Sequence, residues 1–376
     1  MDEQQSPTEW RVMGETVPGA SHLRAGLPNQ DAILQVRASG RGLPVVVSLS
    51  DGHGSDKCFR SDRGSRYAVK EAARLVFELL DETRDTLNQA EFESRASEYL
   101  PREFVRRWRE AAEADLKARP FTKAELESVE QKDGPQALKL IARNPLLAYG
   151  ATSLTVALTD SFALYLQLGD GEILNVSEAG EVVRILAEDE RLFANETTSL
   201  CTPDAEHNFR VRILPLTGEP PALILLSTDG YVNSFSDSAG FFKVGSDLLD
   251  MLRSDGFDPV NAGLKDWLEE ATRSGSGDDC TLALVCRMDT FSHERGKHEA
   301  EGSQTDEPAA GSTAEEVTMT PSTDGGPAVQ ADGRPTTSAN PSGDASTQPQ
   351  DAGASTRPDE QNQTAQPDGQ PDGQNK

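Results

Sequence analysis

Cysteine is scarce in this 376-residue sequence: Cys58, Cys201, Cys280 and Cys286 are the whole complement. None forms a CxxC pair or alternates with histidine at zinc-site spacing. That argues against a disulfide scaffold or a zinc module and leads us to expect reduced thiols in a cytoplasmic protein. Long apolar runs are also missing. The longest, Val45 to Val47 and Pro221 to Leu226, fall far short of the roughly 18 residues that span a bilayer. No charged stretch leading into an apolar one opens the sequence, so neither a secretory signal nor a membrane partner is expected. Positive charge is in deficit, with 36 Lys and Arg against 63 Asp and Glu and a net charge of -27. A surface of that sign repels phosphate backbones, which argues against a nucleic-acid partner. Only 36% of the residues are hydrophobic, low for a wholly folded chain.

The shortfall is concentrated at one end. No aromatic residue follows Phe291, and residues 291–376 hold 15 acidic residues against 5 basic ones. Pro, Gly, Ser, Thr and Gln fill the rest, and Gln-Pro-Asp-Gly recurs at 366–369 and 370–373. So few apolar side chains cannot offset the entropy of an ordered backbone. Residues 1–290 are therefore expected to form one domain, and 291–376 a disordered acidic tail.

Within the domain, short apolar runs at Ala32 to Val36 and Val45 to Leu49 read as strands. Apolar residues then recur at Ala68, Ala72, Leu75, Val76, Leu79 and Leu80, the stripe of an amphipathic helix. Two further helices are predicted at about 86–118 and 123–142, separated by Pro120. Their Glu- and Lys-rich sides read as solvated faces. Strand patterns return at Thr152 to Leu158, Ala163 to Leu168, Ile173 to Val176, Val182 to Leu186, Arg210 to Leu214 and Leu223 to Leu226. Helical stretches at Ser246 to Leu252 and Val260 to Thr272 precede a last strand, Thr281 to Cys286. This order predicts an α+β fold with mostly antiparallel sheets.

Aspartate recurs at the strand ends. Three apolar runs finish at Asp51-Gly52, Asp170-Gly171 and Asp229-Gly230, and Asp278-Asp279 stands just before the last strand. One Asp-Gly is a favoured hairpin turn. Four acidic positions flanking strands can meet at a single sheet edge, because antiparallel neighbours bring an end beside a start. Gathered carboxylates repel one another, and hard oxygen donors without His or Cys suit Mg²⁺ or Mn²⁺. Pairs of such ions assist displacement at phosphorus.

Six motifs carry a resemblance. They are Asn29-Gln30-Asp31-Ala32, Ser50-Asp51-Gly52-His53-Gly54, Gly150-Ala151-Thr152-Ser153, Gly169-Asp170-Gly171, Ser227-Thr228-Asp229-Gly230 and Asp278-Asp279-Cys280-Thr281. In this order and spacing, over roughly residues 10–288, the sequence resembles the bacterial type of PP2C metal-dependent protein serine/threonine phosphatases. The resemblance implies a four-layer αββα sandwich of two antiparallel sheets flanked by helices. It also implies hydrolysis of phosphoserine and phosphothreonine in proteins by a water bridging two Mn²⁺ or Mg²⁺ ions. Asp51 would bridge both ions, with the Gly52 carbonyl on one and Asp229 and Asp278 on the other. Asp31 would hold water around the ions, and Asp170 would serve a third, weaker site. His53 matches the residue proposed as general acid. Arg24, seven residues before Asp31, is the candidate phosphate-binding arginine, although it stands further from that aspartate than the family's arginine does. Other departures are Gln30 before the first aspartate, Ser55 in place of a second glycine after His53, and Asp279 where asparagine is common. The remaining histidines, His22, His207, His293 and His298, have no comparable context. The implied partners are a phosphorylated protein substrate and a cognate serine/threonine kinase. The alternative reading is a non-catalytic module of the same fold that binds phosphoproteins; a third is a two-metal hydrolase of small phosphate esters.

Overall fold

The computed structural model describes residues 9–37, 42–83, 89–187 and 198–291 of the chain. Ten strands and seven α-helices are present among them: β1 (Trp10–Val17), α1 (Ala20–Ala25), β2 (Ala32–Arg37), β3 (Val45–Ser50), α2 (Ser61–Thr83), α3 (Gln89–Ala118), α4 (Lys123–Arg143), β4 (Ser153–Leu158), β5 (Phe162–Leu168), β6 (Glu172–Val176), β7 (Val182–Arg184), β8 (Arg210–Pro215), β9 (Leu223–Ser227), α5 (Asp229–Val232), α6 (Ser238–Ser254), α7 (Phe257–Ser274) and β10 (Cys280–Arg287). One sheet runs β1-β10-β9-β6-β7 and the other β2-β3-β4-β5-β8. Every pairing is antiparallel.

The strands read as near-continuous apolar runs because both of their faces are covered. Val45, Val47 and Leu49 of β3 pack with Trp10, Ile224 and Val285 in the layer between the sheets. Val46, facing the other way, joins Val76 of α2 and Trp108 of α3. On the far side Leu223 and Leu225 of β9 pack with Leu249 of α6 and Leu264 of α7. Period-2 alternation thus feeds two cores from each central strand, and each fully buried Leu or Val contributes about 1.5–3 kcal/mol. The outcome is the four-layer sandwich of helices, sheet, sheet and helices that the family resemblance implied.

The helices form for local reasons. The stripe from Ala68 to Leu80 is buried. At the start of α4, Thr122 and Glu125 exchange hydrogen bonds in a capping box, satisfying amides that would otherwise lack partners. The expected helix 123–142 is kinked: Gly134 has φ 77° and is followed by Pro135, and a left-handed residue interrupts the helical ladder. Val129, Ala137 and Ile141 of α4 pack near Phe59, Phe121 and Leu147, beside the turns Asp56–Cys58 and Pro145–Tyr149.

Three elements are additional to the sequence reading, β1, α1 and the four-residue α5. β1 alternates poorly, since Gly14, Glu15 and Thr16 interrupt its apolar pattern, and α1 is only six residues long. Pairing along the whole of β10 supplies what the local signal lacks. Of the expected tail, Phe291 is buried against the α6–α7 side, and the rest lies outside the described residues.

Candidate metal centre

Strand registry brings the acidic positions to one rim. Ala32 pairs with Ser50, so Asp31 at the start of β2 lies beside Asp51 at the end of β3. Leu282 pairs with Ser227, so the end of β9 meets the start of β10. The loop after β5 delivers Asp170 to the same edge. Carboxylate oxygens of Asp51, Asp170 and Asp229 lie within 4.8 Å of one another.

Two glycines let the backbone close around this cluster. Gly52 pairs with Ala151 in an isolated bridge, and a Cβ there would stand 2.6 Å from the Gln30 carbonyl oxygen. A Cβ on Gly150 would meet the His53 ring at 2.6 Å. The Asp51 loop is pinned to the β4 entry by three backbone N–H donors. Asp51 donates to Thr152 Oγ1 at 3.0 Å, Thr152 to the Asp51 carbonyl at 2.8 Å, and His53 to the Gly150 carbonyl at 3.1 Å.

Asp31 sits behind the cluster and is buried. Its Oδ2 accepts hydrogen bonds from Thr281 Oγ1 at 2.6 Å and Thr228 Oγ1 at 2.8 Å. The other oxygen, Oδ1, is buried without a hydrogen-bond partner, as is Oδ1 of Asp170. Burial pushes the Asp31 carboxyl up to about 8; the two threonine hydroxyls oppose this, while Asp279 and Asp229 add to it. Burial likewise lifts Asp51 well above the usual carboxylate range, with repulsion from Asp229 and Asp31 adding to it. Asp229 is raised to about 6, first by burial and then by the charge of Asp170. Crowded acids with stranded lone pairs fit a site that receives cations.

His53 is half-buried on the Asp51 loop. Burial lowers its pKa, the charge of Asp170 opposes that, and Lys57 reinforces it. Gly52 adjoins Asp51 at the bridge to Ala151. Asp278 stands at the rim beside Gly230, but its carboxylate is outside the Asp51 group and lies with His22 and Asp279 instead. Arg24 is exposed on α1; the side chain that this helix brings to the carboxylates is His22. Sequence reasoning passed over His22, Thr228 and Thr281. The one signal for His22 was Asp279, whose extra buried charge calls for a neighbour able to stabilise it.

Comparison with curated proteins returns no match. Among solved structures, the chain is similar to a bacterial serine phosphatase, at 13% identity over 74% of this chain and 97% of that one, with a TM-score of 0.48. It is also similar to the serine/threonine phosphatase Stp1 of Staphylococcus aureus, at 14% identity over 76% and 99% of the two chains and a TM-score of 0.47. A third is the catalytic domain of the serine threonine protein phosphatase PstP in complex with two manganese ions, at 16% identity, 74% and 98% coverage and a TM-score of 0.43. The sequence profile described as Protein phosphatase 2C matches residues 18–269. That span runs from the end of β1 through most of α7, and includes every rim aspartate except Asp278 and Asp279. The chain belongs to the protein phosphatase 2C family and is a protein serine/threonine phosphatase.

Proposed function

We propose that this phosphatase is metal-dependent: it binds two divalent cations, Mn²⁺ or Mg²⁺, at the acidic rim and hydrolyses phosphoserine and phosphothreonine in proteins. The observation that carries the reading is the set of three carboxylates within 4.8 Å, backed by raised pKa values and buried oxygens without partners. Repulsion of that kind persists in a fold only where something positive offsets it when the protein works. Bound dications supply that charge, acidify nearby water and neutralise phosphoryl oxygens.

Each side chain then has a task. Asp51, the Gly52 carbonyl, Asp229 and Asp278 would hold the two ions. Asp31, fixed by Thr228 and Thr281, would keep water in order beside them, and Asp170 would serve a third, weaker site. His53 would give a proton to the departing serine or threonine oxygen; burial lowers its pKa, and the charge of Asp170 works against that lowering. Arg24, exposed on α1, holds the substrate phosphate. The substrate is a phosphoprotein made by a cognate kinase in the cytoplasm, with residues 1–290 as the phosphatase domain and 291–376 as a disordered tail.

The test is hydrolysis of p-nitrophenyl phosphate and of a phosphothreonine peptide by the full chain, with Mn²⁺, with Mg²⁺ and with EDTA. Turnover is expected only with added metal. Asp51→Asn is expected to reduce it at least about 100-fold, since even residues behind a metal ligand commonly cost 10–100-fold. Activity that persists in EDTA would overturn the proposal.

A further inference from the structure

The rim carries a second group of donor atoms beside the Asp51 cluster. His22, Asp278 and Asp279 each present one, all within 4.8 Å. His22 is only 8% exposed. Its Nε2 lies 3.6 Å from Oδ1 of Asp278 and its Nδ1 lies 3.0 Å from Oδ2 of Asp279. The Nδ1 atom is buried and makes no aligned hydrogen bond.

The two carboxylates differ in freedom. Asp279 is held on both oxygens: the Gly19 N–H donates to Oδ1 at 2.6 Å and the Gln30 N–H to Oδ2 at 2.6 Å. It therefore ties the start of α1 and the approach to Asp31 onto the loop that carries Asp278. Asp278 has a half-exposed side chain, 55%, and accepts the Asp279 N–H on Oδ1 at 2.9 Å.

A neutral imidazole has one N–H and one lone pair. Both nitrogens of the His22 ring face carboxylates, and neither contact is an aligned hydrogen bond. A spacing of 3.6 Å is too long for a hydrogen bond. It does suit two donor atoms that would share one ion, since they lie with Asp279 inside one group of donors within 4.8 Å. Ligating histidines are commonly backed by a carboxylate at the other ring nitrogen, which sets the ring's orientation. Asp279, rigid on two backbone amides, occupies that place.

The geometry points to His22 Nε2 as a nitrogen ligand, together with Asp278, to a divalent cation at the rim, with Asp279 as the positioning residue behind it. This rests on the metal-dependent reading above and adds a ligand of another chemical kind. Mg²⁺ keeps to oxygen donors, whereas Mn²⁺, although suited to carboxylates, belongs at the weak end of the first-row series that also binds nitrogen. On this proposal His22 biases the position toward Mn²⁺ over Mg²⁺.

Pulsed electron paramagnetic resonance on the full chain loaded with Mn²⁺ tests this without reference to turnover. The wild-type protein is expected to show a ¹⁴N coupling that becomes a ¹⁵N coupling after labelling of histidine. The coupling should be absent in His22→Ala and retained in His53→Ala. By calorimetry, His22→Ala should weaken one Mn²⁺ site about 10–100-fold, and Asp279→Asn should weaken it by a smaller factor, with Mg²⁺ binding unchanged in both. The wild-type spectrum needs no variant, so a His22→Ala protein that fails to fold leaves the test intact. Mn²⁺ binding that depends on Asp51 but shows no nitrogen coupling would overturn the inference, reduce His22 to an ion-pair partner, and leave the metal-dependent reading standing. No Mn²⁺ binding by the wild-type chain would overturn both.

Discussion

The rim and the interface between α2, α3 and α4 both take carboxylates out of water, and they do so in opposite ways. At the rim, Asp31, Asp51 and Asp229 face one another and all rise in pKa, with burial as the first cause. Beneath α4, Glu125 and Asp115 face arginines and tyrosines. Burial pushes both up, yet hydrogen bonds from Arg60 and Thr122 hold Glu125 down at about 2, and those from Tyr67, Tyr149, Arg119 and Arg63 hold Asp115 well below the usual range. Arg60 grips Glu125 with two bonds of 2.8 and 3.0 Å and donates to Tyr149 Oη at 2.8 Å. Tyr67 and Tyr149 donate to Asp115 at 2.6 and 2.8 Å. One cluster is complete within the chain and the other is not. A completed buried network fixes structure; an uncompleted one of a single sign is where a ligand belongs.

That contrast can be broken most directly at Arg60. Arg60→Ala leaves Glu125 and Tyr149 without their buried partner and is expected to destabilise the domain by about 3–5 kcal/mol, measured by urea unfolding. A loss below about 1 kcal/mol, typical of exposed pairs, would erase the distinction between the regions. Substitution at the rim should act with the opposite sign. Asp51→Asn removes a repelling charge and is expected to stabilise the metal-free protein by about 0.5–2 kcal/mol while it abolishes most turnover. A destabilised Asp51→Asn protein would show that the rim is held together without cations.

The smallest effect sharpens the comparison through pH. A carboxyl raised in the fold stabilises it below the unfolded value and loses that contribution as pH rises through the folded one. With Asp229 at about 6 and Asp31 at about 8, the thermal midpoint of metal-free protein should fall between about pH 4 and pH 8, and saturating Mn²⁺ should flatten the fall. Glu125, depressed to about 2, contributes above its unfolded value and loses that stability as pH drops through the folded one. Arg60→Ala should therefore weaken the acid-side loss and leave the decline on the way to pH 8 unaffected.

Much of the fold was legible because the signals are local. β3, β4 and β9 are runs that only a doubly covered strand accommodates, and α2 carries an uninterrupted apolar stripe. β1 was not legible, since its order comes from pairing with β10 at the far end of the domain sequence. Asp51, Asp170 and Asp229 could be read as one site because each follows a strand at a turn. His22 could not. Its spacing matches no strand or helix period that points to a site, and its relation to Asp279 exists only because Gly19 and Gln30 are bonded to that carboxylate.

By itself the sequence determined the order of strands and helices, the antiparallel pairing and the placement of negative charge at strand ends, because periodicity and turn chemistry act over a few residues. Only the tertiary structure decided which acids share the cluster, which stands apart with His22, and which arginine closes the network under α4. Those choices depend on registry between distant strands and on burial, and both arise only when the two sheets have packed.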